Sequence, residues 1–334
     1  MTILIGCSGW SYDDWVGRFY PNELAKKRGE WFSYYAKYFR TVEINSTFYR
    51  PPGELLVQSW INKAQGREGF EYSLKVPQLV THESLVDGNV DKAVFWARSF
   101  EKTCIEPLDE AGCLGGVLLQ LSPYFKNVGP ALDDLIRLLD SVSREGIDYA
   151  VEFRHSSWLA ESSGSGYRKR GLSGTNDAIV DASRSRSECT PTAAGRNEID
   201  PVVLDALRDR NVANVLLDGP GLQESTKQTA DHAYIRFHGR NYDIWYKGEK
   251  EREPDHRLNR YDYLYQKEQL DSWVPRIREA ELKAAKVRVY FNNHARAKSV
   301  RNAFLLMDLL CIEHPAKEIR LQDQFTLGEF SGRD

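Results

Sequence analysis

The feature that most constrains this chain is a rhythm. Short apolar runs alternate with longer amphipathic segments, eight times over. The runs cover 3–7, 41–45, 70–76, 115–121, 149–154, 214–218, 233–238 and 287–292. After the first, Trp31, Tyr34, Tyr35 and Phe39 return at helical spacing. Similar segments are expected near 54–64, 91–102, 130–142, 201–210, 261–280 and 297–311. Strands that alternate with helices build parallel sheets. Eight such units predict an α/β fold, a single (β/α)8 TIM-type barrel over 1–312. A doubly wound open sheet is the alternative, but no Gly-rich dinucleotide loop follows the first run.

The rhythm breaks once. Residues 161–199 are rich in Ser, Gly, Thr, Arg and Asn and carry no apolar period. They read as a long polar insertion after strand 5, a mobile lid or a disordered segment. Residues 313–334 read as a C-terminal tail packed on the barrel.

Composition narrows the function classes. A formal net charge of −3 gives no case for nucleic acid or an anionic membrane as partner. No apolar run is long enough to span a bilayer. The five cysteines are scattered, with no C-x-x-C pair, which fits reduced thiols rather than a disulfide or zinc framework. The start of the sequence lacks a basic, long apolar leader. A cytoplasmic location is expected.

Alternation along each strand then sorts side chains into inner and outer sets. The inner set is expected to hold Glu43, Asn45, Ser73, Lys75, Leu118, Gln120, Glu152, Arg154, Leu216, Asp218, Arg236, His238, Tyr290 and Asn292. Asn45, Lys75, Gln120, Arg154, Asp218, His238 and Asn292 would lie nearest the C-terminal ends of the strands. Glu43, Glu152, Arg236 and Tyr290 would lie one tier deeper. Buried ions rarely stabilise a fold. Polar groups from seven strands at one end therefore point to a site.

Seven segments also resemble the YecE-like family, the domain of unknown function numbered seventy-two. They are Gly6-Cys7-Ser8-Gly9-Trp10-Ser11-Tyr12, Thr41-Val42-Glu43-Ile44-Asn45-Ser46-Thr47-Phe48-Tyr49, and Ser73-Leu74-Lys75-Val76-Pro77 with Thr81-His82. Leu119-Gln120-Leu121-Ser122-Pro123 follows, then Val151-Glu152-Phe153-Arg154-His155 with Trp158. Arg236-Phe237-His238-Gly239-Arg240 and Tyr290-Phe291-Asn292-Asn293-His294 complete the set. The resemblance implies a TIM-barrel fold and a pocket, and no particular reaction. The insert after Trp158 departs from the family pattern.

The expected function is an enzyme that binds a small anionic or sugar-like molecule at the barrel mouth and performs acid/base hydrolysis or transfer. Glu43, Glu152 and His238 are the candidate catalytic residues. Asn45, Lys75, Gln120, Arg154, Asp218, Arg236, Asn292 and Asn293 are the candidate ligand-binding residues. Both glutamates have a competing structural role, as partners that hold the cations in place. No cofactor is expected. A divalent-metal site built on His238, Asp218 and the glutamates, with His82, His155 or His294, is the alternative, suited to phosphoester or nucleic-acid-end chemistry. A non-catalytic binding module is the third reading. Trp10, Tyr12, Trp15, Phe48, Tyr49, Trp158, Trp245 and Tyr246 are expected to crowd the rim, and Cys7 to serve packing only.

Overall fold

The computed structural model describes residues 2–142, 144–160, 198–220, 227–241 and 260–317. Nine strands are found among them. They are β1 (Thr2–Cys7), β2 (Thr41–Ile44), β3 (Glu71–Lys75), β4 (Leu114–Gln120), β5 (Asp148–Glu152), β6 (Ala213–Asn214), β7 (Leu216–Asp218), β8 (His232–Phe237) and β9 (Lys286–Phe291). Every strand ladder is parallel. The ladders form two sheets, ordered β1-β9-β8-β7 and β2-β3-β4-β5-β6. Parallel neighbours require long crossovers, and the expected helices supply most of them. Every residue of β2, β3 and β8 is buried, as strands covered on both faces must be.

Two connections join the sheets. Ser8, just past β1, bridges to Glu43 in β2. The run 213–218 belongs to both sheets: β6 pairs with β5, β7 pairs with β8, and the Val215 N–H between them donates to Val151.

The helices deviate from expectation where chemistry intervenes. The long segment expected over 261–280 is two helices, Lys267–Asp271 and Val274–Lys283, with Pro275 in the first turn of the second. Proline lacks the N–H that a continuous helix needs there. Between the helix Val90–Phe100 and a further short helix, Glu106–Glu110, the chain passes through a π-turn at Glu101–Ile105. No described helix is long and apolar enough to cross a membrane.

The large apolar core lies between strands and helices. A second, small cluster joins Leu118, Ala150, Ala213, Val215, Tyr234 and Tyr290, drawn from both sheets. Tyrosine rings here leave room only for glycine opposite: a Cβ on Gly116 would stand 2.8 Å from the Tyr234 ring. The alternation expected for 214–218 is corrected at this point. Leu216 belongs to the outer core, and Ala213 and Val215 supply the small inner side chains.

Candidate functional site

Arg236, in β8, is the centre of the inner polar set. It is 1% exposed. Its Nη2 donates to Glu43 Oε1 at 2.7 Å, and its Nη1 donates to Glu152 Oε2 at 2.5 Å and to Gln120 Oε1 at 3.0 Å. Glu43 also accepts from Ser8 Oγ and from Tyr234 OH, both at 2.7 Å. Glu152 Oε1 pairs with Arg154 Nε. Burial alone would raise the Glu152 carboxyl, but Arg154, Arg236 and His238 beside it hold it well below the usual range. Burial likewise opposes the charge on Arg236, and Glu43 and Glu152 more than offset it. Two buried carboxylates thus share one guanidinium, with their other lone pairs on hydroxyls, an imidazole or a second arginine.

Lys75, Arg154, His238, Asn45 and Asn292 stand at or just past the C-terminal ends of the strands. Lys75 ends β3 and is buried. Its ammonium lies 3.6 Å from the centroid of the Phe48 ring. Among the described residues no carboxylate comes within ion-pair distance of it. Burial first, then Arg236 and Arg154, pushes its amine down to about 7, against the pull of Glu152 and Glu43. Arg154 keeps 16% of its side chain exposed and donates to Gln120 Oε1 at 3.0 Å. The described charges of this cluster are therefore three cations, Lys75, Arg154 and Arg236, against Glu43 and Glu152.

His238 is buried, with Nδ1 3.0 Å from Asn292 Nδ2. Its Nε2 lies 3.2 Å from Arg154 Nη2 and 3.3 Å from Glu152 Oε1. Burial pushes its pKa down to about 4; Arg154 and Arg236 lower it further while Glu152 opposes. It is a neutral imidazole at neutral pH. An amide NH2 can only donate, so Nδ1 holds the lone pair and Asn292 claims it, while Nε2 carries the proton that faces Glu152 Oε1; neither nitrogen offers a metal a lone pair there. Asn45 Nδ2 donates to Asn292 Oδ1 at 3.3 Å, tying β2 to β9.

Two candidate ligand residues lie elsewhere. Asp218 accepts from Trp273 Nε1 at 2.7 Å, Tyr265 OH at 2.9 Å and Arg240 Nε at 2.8 Å, on the outer face of β7. Asn293 donates to Tyr263 O at 2.7 Å and to Asn302 Oδ1 at 2.8 Å, facing the helix Lys298–Leu309. Both face helix-side donors and acceptors because each is one residue out of step with the inner set.

Most rim aromatics anchor loops. Trp15 Nε1 donates to His294 O and Trp158 Nε1 to Phe125 O, and both rings are buried. Tyr12 stacks on His294 at 4.4 Å and donates to Ser8 O, while Trp10 packs edge-on against Phe32. Phe48 lies under Lys75, and His82 meets the Phe48 ring edge-on, with centroids 4.8 Å apart. Tyr49 is 68% exposed. His155 accepts from Ser157 N through Nδ1. Burial pushes the Cys7 thiol up to about 12, an unreactive packing group. Trp245, Tyr246, residues 161–197 of the polar insertion and 318–334 of the tail lie outside the described residues. Ser8 and Tyr234 escaped the sequence reading, although Tyr234 sits two residues before the inner Arg236 on β8; Ser8 lies just past β1, a strand to which no inner residue was assigned.

The family described as "Protein of unknown function DUF72" matches residues 4–196 and 193–324. The chain belongs to this family. UPF0759 protein YunF of Bacillus subtilis (strain 168) is 24% identical over 97% of this chain and all of that protein. UPF0759 protein YecE of Escherichia coli (strain K12) is 30% identical over 60% of this chain and 68% of that protein. A DUF72 family protein of Thermotoga maritima MSB8, TM1631, superposes with a TM-score of 0.69 at 26% identity, covering 93% of this chain and 99% of that one. The DUF72 protein EF0366 of Enterococcus faecalis V583 shares the fold at 18% identity, with a TM-score of 0.67, over 96% of this chain and all of that one. In this DUF72 chain, Arg236 from one sheet links two glutamates of the other, Glu43 and Glu152, with Lys75 and Arg154 beside it. Such an arrangement suits recognition of an anion by a guanidinium fork and an ammonium.

Proposed function

We propose that this DUF72 protein is a single (β/α)8 barrel that binds a small anion at the C-terminal ends of its strands and moves a proton on it. The barrel reading is supported by the Ser8–Glu43 bridge, by the run 213–218 shared between the sheets, and by the small inner cluster that both sheets build. The ligand reading rests on one observation: Lys75 is a buried ammonium with two guanidiniums near it and no carboxylate within ion-pair distance among the described residues. An anionic group bridging Lys75 and Arg154 supplies the missing counter-charge. A neutral sugar does not, so a phosphate or carboxylate group is the better fit.

Proton transfer falls to Lys75, whose amine titrates near neutrality, and to the neutral His238. Glu152 is held ionised and capped by two arginines, so it serves as a positioning residue for Arg236 rather than as a general acid. Glu43, bound by Ser8, Tyr234 and Arg236, has the same role.

Calorimetric titration of inorganic phosphate into the full chain tests this. Wild type should bind, and Lys75→Met and Arg154→Gln should each bind at least ~10-fold more weakly, as loss of a charge-assisted contact implies. Equal binding by all three, or none by wild type, overturns the anion reading. The saturation of both glutamates also favours a second reading, recognition without turnover, which gives the same binding and no product from phosphoester or carboxylic-ester substrates.

A further inference from the structure

The N-terminal ends of the strands carry a separate charged group. His232 opens β8, Asp148 opens β5, and Asp231 directly precedes His232. His232 is 1% exposed, and its Nε2 lies 2.9 Å from the carbonyl oxygen of Tyr149. A carbonyl only accepts, so Nε2 carries the proton it donates. In the neutral ring the lone pair is then on Nδ1. Yet Nδ1 faces two further acceptors, Asp231 Oδ1 at 3.2 Å and Asp148 Oδ1 at 3.3 Å. Three electron-pair donors converge, and all three atoms lie within 4.8 Å of one another.

The surroundings leave those donors available. Arg288 Nη1 donates to Asp148 Oδ2 at 2.6 Å, which keeps Oδ1 for the group. Asn211 Nδ2 donates to Asp231 Oδ1 itself at 2.8 Å, which orients the carboxylate and leaves that oxygen a further lone pair for the group. Arg288 and Lys286 also bind Glu71, so the local count is two cations against Glu71, Asp148 and Asp231. One negative charge is left over. Two ligands held at about 2.0–2.1 Å in a tetrahedron stand roughly 3.3 Å apart, which is the spacing from Nδ1 to each oxygen. A histidine whose other nitrogen donates to a backbone carbonyl is also the usual support of a metal ligand.

We propose that His232 Nδ1, Asp148 and Asp231 bind a small divalent cation of the zinc type, a structural ion that clamps the starts of β5 and β8. Asp231 lies at the exposed side of the group, where water completes the coordination. The competing occupant is a proton on Nδ1, which would make His232 an imidazolium between two carboxylates.

The test uses the full chain stripped with EDTA. Thermal unfolding is followed with and without added Zn2+, in wild type, Asp231→Asn and His232→Gln. Asp231 is exposed, so Asp231→Asn keeps the measurement sound should His232→Gln fold poorly. The 15N shifts of His232 are recorded at pH 7 in the same samples. Expected are a Zn2+-dependent rise in Tm of several degrees in wild type, its loss in the variants, and an unprotonated Nδ1 in the zinc-loaded protein. No rise in wild type, an equal rise in the variants, or both ring nitrogens protonated with Zn2+ present would each overturn the site.

Discussion

The ammonium of Lys75 rests 3.6 Å from the centre of the Phe48 ring, on the opposite side of the balance from two buried glutamates that already belong to Arg236. The ring compensates only part of the lost hydration. Lys75 is therefore a cation that the fold tolerates at a cost, the usual condition of a residue kept for what it binds.

That cost is measurable. The Lys75 amine titrates near 7 in the fold against an ordinary value of 10.5. Between those values the unfolded chain holds the extra proton, so this group makes stability rise with pH from about 7 to about 10. Lys75→Met should be more stable than wild type by about 1–3 kcal/mol at pH 6, and the gain should vanish near pH 10.5. Urea unfolding at the two pH values checks it. A variant less stable at pH 6 would mean that the ammonium has a partner worth more than its desolvation.

Arg236 carries the opposite expectation. Arg236→Met leaves Glu43 without one of its three donors and Glu152 with Arg154 and His238 only. A buried charge deprived of its partner costs about 3–5 kcal/mol, and urea unfolding at pH 7 should register that loss. The wild-type Glu152 carboxyl is held below its ordinary value, so its contribution is present above about pH 4.5 and fades as pH falls further. In Arg236→Met that acid-side loss should shrink. Triple replacement with Glu43→Gln and Glu152→Gln should recover part of the stability; no recovery would mean that the arginine acts through packing alone.

Alternation made Glu43, Glu152 and Arg236 legible as one inner set, because each shares its strand with apolar residues of opposite parity. It failed at 214–218, where Leu216 and Asp218 on one face and Ala213 and Val215 on the other are equally plausible by polarity. The decision there comes from volume: Tyr234 and Tyr290 fill the interior and leave space for small side chains only. The outer donors Trp273, Tyr265 and Arg240, from distant segments, then accommodate Asp218. The lower layer of Glu71, Asp148 and Arg288 escaped notice because each lies at the first residues of a run, where strand boundaries are hardest to place. Helix periodicity across 261–280 concealed the break before Pro275, since Tyr263 and Tyr265 continue an apolar pattern in extended chain.

The crowding of the interior has its own test at Gly116. A methyl group there meets the Tyr234 ring at 2.8 Å, and that ring is tethered by its hydroxyl to Glu43. Gly116→Ala should cost about 1–3 kcal/mol by overpacking. Adding Tyr234→Leu should return less than additive loss in a double-mutant cycle, because the clash is then gone. Strict additivity would place the cost in the strand backbone instead.

Asp218 separates fold from ligand. Its carboxylate holds Trp273, Tyr265 and Arg240 on the helix side of β7, with no contact to Arg236, Lys75 or Arg154. Asp218→Ala strands the buried indole N–H, an unsatisfied donor that costs about 1–3 kcal/mol, and leaves the Tyr265 phenol only its 3.2 Å bond to the carbonyl of residue 218. The variant should unfold at lower urea. At a temperature where it remains folded, its phosphate affinity should stay within about twofold of wild type, since its carboxylate shares no partner with Lys75 or Arg154. A loss of affinity comparable with that of Arg154→Gln would bring Asp218 back to the ligand, and with it the face of β7 on which the inner set depends.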